Sequence, residues 1–170
     1  MKKLFLLTLC ASFLSLAGMA QRYGIIDTKY ILEKLPEYKD AQKKLDQFSE
    51  GWQQEIDQKQ MAMDKMYKDY EAEQVMLSDV LKKKREDEIY NKEKELRDLQ
   101  KKRFGFEGDL FKKRQELIKP IQDKVYNAVQ KLAIDRQYDF ILDKSEGITV
   151  IFADPKLDRS EEVLRNLGVK

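Results

Sequence analysis

Between Glu37 and Arg136 apolar residues recur at helical spacing in a background of charge and glutamine. Pro36 precedes this run, and Pro120 is the only proline inside it. The stretch is too long for one globular helix and too polar for a membrane span, which predicts two long helices folded back on each other. The first, over 37–77, opens Ala41, Leu45, Phe48, Trp52, the spacing of a heptad seam. It continues through Ile56, Met63, Tyr67 and Tyr70, with Gln60 in one expected slot. The step from Trp52 to Ile56 needs a four-residue stutter, which locally unwinds a coiled coil. Ser78-Asp79, after Met76 and Leu77, is an end-and-restart signal. The return segment carries Val80, Ile89, Leu96 and Leu99, then Leu110, Leu117, Ile121, Val125, Ala128 and Leu132.

The pattern changes at both ends of the chain. Tyr23, Ile25 and Ile26 predict a short strand, and 29–35 one or two helical turns. Pro36-Glu37 suits the opening of the long helix, since proline is tolerated at a first turn and a glutamate favours its positive end. Beyond Arg136 the apolar residues alternate. Tyr138, Phe140 and Leu142 share one face, as do Ile148, Val150 and Phe152, and 144–147 between them is a suitable hairpin loop. Ile141 and Ile151 on the opposite faces imply cover on both sides. Asp154-Pro155 turns the chain, and a last helix over 161–167 ends at Gly168. The expected fold is therefore mainly α with a small β body. A long antiparallel coiled-coil hairpin, 37–120, protrudes from an α+β base made of 21–36 and 121–170. A base of about 65 residues is small for a self-sufficient core, which predicts oligomerisation. Tyr23, Ile25, Ile26, Phe140, Leu142, Val150 and Phe152 are its candidate contacts.

Two patches interrupt the helical pattern. Arg103 to Phe111 places Gly105 and Gly108 among Phe104, Phe106 and Phe111. Each glycine costs about 1 kcal/mol against alanine in a helix interior, and three phenylalanines so close cannot all face one seam. Either the aromatics plug a local kink, or they sit exposed on a flexible joint. Pro120 predicts a second kink, where the arm enters the base.

Charge adds an asymmetry. The first long helix holds ten acidic and six basic residues, and 80–124 holds fifteen basic and ten acidic. This suits an antiparallel pair and selects partners more than it sets stability. Lys82, Lys83, Lys84 and Arg85 fall near the expected hairpin tip. They read as a solvated helix face, or as a contact for acidic lipid headgroups or an acidic client patch.

Residues 1–20 have the three-part layout of a secretory signal peptide: Lys2 and Lys3, an apolar run, then Gly18-Met19-Ala20. Cys10, preceded by Leu9 and placed early, does not fit a lipidation site. Without Lys2 and Lys3 the 33 basic residues of the whole chain become 31, against 31 acidic ones, so the expected mature charge is about zero. That argues against a globally basic nucleic-acid binder. The single cysteine leaves with the signal, and the chain has no histidine. The commonest general base, metal ligand and thiolate are thus missing, and no enzyme activity, cofactor or metal is expected.

The order of parts is similar to that of the Skp (OmpH) family of periplasmic chaperones. These parts are a signal peptide, the strand Tyr23 to Asp27, a long charged hairpin, the strand Tyr138 to Asp143 and a short last helix. The resemblance spans essentially 21–170 and implies a homotrimer whose strands build a central β body. From it hang helical arms around a cavity that holds unfolded outer-membrane β-barrel precursors without ATP. It also implies lipopolysaccharide, held by basic arm residues, as a further partner, without assigning that site to particular positions; Lys82 to Arg85 are candidates for an anionic membrane surface by their charge. The near-zero mature charge departs from the positively charged arms typical of the family.

The hairpin carries more apolar residues than two seams need. Met63, Met66, Tyr67, Tyr70, Phe104, Phe106 and Phe111 are the candidate client contacts, with Met61 beside them. Methionine adapts to many shapes and tyrosine offers both ring and hydroxyl. The competing expectation is that these residues are hairpin core and that the protein is a structural coiled-coil component of the envelope.

Overall fold

The computed structural model describes residues 21–145, 147 and 150–169; the expected signal peptide lies outside the described residues. The elements are β1 (Tyr23–Ile26), α1 (Thr28–Lys34), α2 (Pro36–Glu73), α3 (Asp79–Phe104), α4 (Asp109–Leu117), α5 (Lys119–Arg136), β2 (Phe140–Asp143), a 3-10 turn (Pro155–Leu157) and α6 (Ser160–Asn166). The fold is mainly α with a small β component, and it separates into two compact units. One holds 32–124, and the other joins 21–31 to 125–169.

In the first unit α2 and α3 form an antiparallel hairpin, turned through 74–78. Proline at the first helical position and Glu37 in the first turn open α2. Its buried positions are Ala41, Leu45, Ile56 and Met63. The eleven-residue gap from Leu45 to Ile56 holds the stutter read from the sequence. Ile56 and Met63 pack with Leu96 of α3, flanked by Leu99. Phe48 and Trp52 lie in that gap, tilted against each other at 5.7 Å. A cation lies over each ring, Lys113 Nζ 5.1 Å from the Phe48 ring centre and the Arg103 guanidinium 5.0 Å from that of Trp52, and Phe48 stays 41% exposed.

Ion pairs follow the charge asymmetry. Glu37 with Lys124 (2.7 Å), Glu55 with Arg103 (3.1 Å) and Glu73 with Arg85 (3.7 Å) each join an acid on α2 to a base on the returning chain. These partners ascend one limb as they descend the other, which is the antiparallel register. Each exposed pair contributes only tenths of a kcal/mol.

The return limb breaks twice. The Gly105–Gly108 segment separates α3 from α4. Ile118 separates α4 from α5, with Pro120 in the first turn of α5. Proline has no N–H to donate there, while Ile121 N and Gln122 N both donate to Ile118 O at 3.1 Å. Ile118 itself is buried.

In the second unit β1 and β2 pair in parallel, with Tyr23 opposite Phe140 and Ile26 opposite Asp143. The Tyr23 and Phe140 rings stack at 5.5 Å. Ile25, Ile26, Ile31, Val125, Leu132, Val163 and Leu164 are its buried apolar residues. Ser160, also buried, accepts from Asp27 N at 2.9 Å, and Asp158 accepts from Ser160 N at 2.8 Å.

The expected strand over 148–153 is corrected. Residues 148 and 149 lie outside the described residues, and 150–153 form no strand. Ile151 is 94% and Phe152 84% exposed, while Val150 is half-buried. The reason lies at the end of β2. The Asp143 carboxylate accepts from Thr28 N (3.1 Å), from the Thr28 hydroxyl and from Ser145 N (3.0 Å), which folds the chain toward α1 instead of a hairpin turn. The later segment reaches β1, where Ile25 bridges Asp158 and Arg159 N donates to Ile25 O at 2.8 Å.

Candidate functional site

At the interruption between α3 and α4 three phenylalanines reach solvent. Lys101, Lys102 and Arg103 end α3, and Gly105 N donates to Lys101 O at 2.9 Å. Glu107 then takes a left-handed backbone, φ 55°, and Gly108 becomes the residue before α4. The glycines are required by space. A Cβ on Gly105 would overlap the Lys101 carbonyl oxygen. One on Gly108 would stand 2.8 Å from Lys102 O and 2.9 Å from Gly105 O. Between them Phe106 is turned outward and 98% exposed, with Phe104 at 37% and Phe111 at 46%. Of the two sequence readings of this patch, the structure has exposed aromatics at a joint.

Arg103 ties the joint together. Its guanidinium donates to Asp109 Oδ2 at 2.7 Å across the break and to Glu55 Oε2 at 3.1 Å on α2, while lying over Trp52. The side chain is 22% exposed, and its Nε is buried without a partner among the described residues. The Asp109 hydrogen bond, opposed by desolvation and joined by Glu55, raises its pKa above the ordinary value. Sequence reading passed over this residue, because one arginine among Lys101, Lys102 and Lys112 carries no periodic signal.

The other candidates divide. Met63 is in the seam with Ile56 and Leu96. Met66 is half-buried and lines a cleft of about 230 Å³ with Lys59, Ala62, Met63, Lys92 and Leu96. Tyr67 is exposed. Tyr70 is half-buried and donates its hydroxyl to Glu86 Oε1 at 2.6 Å; that hydrogen bond is the main cause of its raised pKa. Met61 is exposed.

At the hairpin turn Lys83, Lys84 and Arg85 face solvent and Lys82 is half-buried. Arg85 also lies 3.4 Å from Glu88. Val75, Met76, Val80 and Leu81 are exposed beside them, an apolar tip the sequence reading did not assign. In the other unit Tyr23 and Phe140 are exposed on the sheet, Ile25 and Ile26 are buried, and Leu142 is half-buried.

Among the described residues no cluster of His, Cys, Asp or Glu could hold a metal ion, and no helix is long and apolar enough to cross a membrane. The chemistry available on the hairpin is that of apolar and aromatic contact framed by charge.

The family model for outer membrane protein (OmpH-like) matches residues 22–167. Among solved structures, a candidate outer membrane chaperone (OmpH-like) from Caulobacter crescentus superposes with a TM-score of 0.68 at 13% identity, covering 89% of this chain and 86% of that one. At that identity the likeness is one of fold. No curated protein matches the sequence significantly.

Proposed function

This chain belongs to the OmpH-like outer membrane protein family, and on that premise we propose that it is a holding chaperone of the periplasm. It binds unfolded outer-membrane β-barrel proteins without ATP and delivers them for membrane assembly. The observation that carries this reading is that the hairpin leaves large apolar side chains in solvent, Met61, Tyr67, Phe104, Phe106 and Phe111 among them. A two-helix seam satisfied by Ile56, Met63, Leu96 and Leu99 has no use for them. Dispersed apolar contacts hold a disordered chain without fixing its fold, because no single contact demands a shaped partner. The role is one of binding, not catalysis.

In this reading the chain works as a homotrimer. Tyr23, Phe140 and the outlying Ile151 and Phe152 are the side chains a self-contact would cover. The hairpins then surround a cavity in which the guest is held. Lys82, Lys83, Lys84 and Arg85 are the candidate contact with lipopolysaccharide or an anionic membrane surface. The path to the periplasm is a cleaved signal peptide at 1–20.

The test is light scattering of a urea-unfolded outer-membrane β-barrel protein on dilution, with and without purified 21–170 and with no nucleotide. Suppression at about one trimer per guest is expected. Unchanged aggregation would leave the structural coiled-coil role instead.

A further inference from the structure

We infer that the Gly105–Gly108 joint is a built guest-gripping element, with Phe106 as the contacting side chain and Arg103 as the residue that positions it. This deepens the chaperone reading and rests on it. The partner is an extended, unfolded stretch of protein rich in apolar side chains.

Three observations converge on the joint. Phe106 is almost wholly in solvent, at 98% the most exposed of the large apolar side chains among the described residues. The chain around it is constructed for that position: neither Gly105 nor Gly108 has space for a Cβ, and Glu107 holds a left-handed backbone. The joint is also latched, since Arg103 reaches both Asp109 beyond it and Glu55 on the facing helix. A flexible insertion would need no such latch. Arginine suits the task because its planar fork can satisfy two carboxylates at once, whereas a lysine offers a single point of charge.

The geometry also selects the partner. Phe106 is a projecting ring with Phe104 and Phe111 partly exposed near it, not a pocket. A convex contact buries its area only against side chains that can close around it, as those of an unfolded chain do. Arg103 never touches the guest in this scheme. It acts by holding Phe106 out.

The experiment measures affinity of 21–170 and its variants for a fluorescently labelled, urea-unfolded outer-membrane β-barrel protein diluted into buffer, with molar mass recorded for each variant. Phe106→Ala should weaken binding about tenfold, the effect of uncovering most of one large apolar side chain. Phe106→Leu should recover much of the loss. Tyr90→Ala, which removes an exposed ring from the regular part of α3, should stay within about twofold of the parent. Arg103→Met should weaken binding on its own and add nothing in the Phe106→Ala background. That non-additivity marks a positioning role, which general loosening of the hairpin would not produce.

Guest binding by the parent chain with Phe106→Ala indistinguishable from Tyr90→Ala would overturn the inference and leave the chaperone reading standing. A changed molar mass for Phe106→Ala would assign the ring to self-association and also overturn it. No binding by the parent chain would remove both.

Discussion

Alanine at Gly105 and alanine at Gly51 should move stability in opposite directions. In a helix interior alanine is favoured over glycine by about 1 kcal/mol. Gly51 lies within α2 with nothing inside 4 Å of where a Cβ would stand, so Gly51→Ala should gain about 0.5–1 kcal/mol. Gly105 has φ −69° and ψ 174°, which any residue can adopt, so its obstacle is space. A Cβ there would overlap Lys101 O and stand 3.1 Å from the carbonyl carbon and 3.2 Å from Lys101 Cγ. That oxygen accepts the hydrogen bond closing α3, so relieving the overlap breaks the bond. The loss is about 1 kcal/mol net. Residual crowding opens backbone angles at about 1 kcal/mol per ~7°. Restricting the unfolded chain returns about 0.4–1 kcal/mol. The balance is a destabilisation of about 1–2 kcal/mol. Urea unfolding followed by far-ultraviolet circular dichroism measures both variants. A Gly105→Ala protein as stable as its parent, or more helical, would refute the reasoning and show that α3 and α4 prefer to run as one helix.

Leu96→Ala should cost about 2–4 kcal/mol in the same assay, since Leu96 fills the seam against Ile56 and Met63. Arg103→Met should shift the emission of Trp52, the only tryptophan, to longer wavelength as water replaces the guanidinium; an unchanged spectrum would deny the latch. Acid should weaken the β-containing unit. Burial raises the Asp143 pKa, but hydrogen bonds from Thr28 and Ser145 outweigh it, and Asp158, likewise opposed by burial, is lowered mainly by Lys144 and Ser160. Both folded values lie below the unfolded ones. Their contribution is therefore complete above about pH 4 and lost as pH falls through the folded values, a slope that Asp143→Asn should reduce in urea midpoints taken across that range. Tyr23→Ser with Phe140→Ser should lower the molar mass in solution if these rings lie in the self-contact, with the hairpin's helicity unchanged.

The hairpin was legible because helical periodicity is a local signal repeated over many turns. Even the stutter after Trp52 could be placed. The same periodicity puts Phe48 and Trp52 in the seam, and only the structure shows cations from the return limb lying over their rings. Gly105, Gly108 and Pro120 announced breaks. Which way Phe106 would face was open, because that depends on where Lys101 and Lys102 carbonyls stand. The alternation at 148–153 misled. It carries strand pattern, but Asp143 turns the chain by side-chain hydrogen bonds to Thr28, a residue 115 positions earlier. Arg103 was illegible for a related reason: its meaning lies in Asp109, Glu55 and Trp52, which only the fold assembles.

The parallel register of β1 and β2 fixes an order of events as the chain is made. Arg22 bonds to Asp139, 117 residues later, so the strand synthesised first must wait for almost the whole polypeptide before it gains its neighbour. An ordering penalty over that span is paid before any ladder forms. The intervening limbs reduce the gap, for once Glu37 meets Lys124 the first and last turns of the stem are held together. The stem thus serves as its own assembly guide, and a nascent chain stopped short of Phe140 would carry a finished stem and an unpaired leading strand.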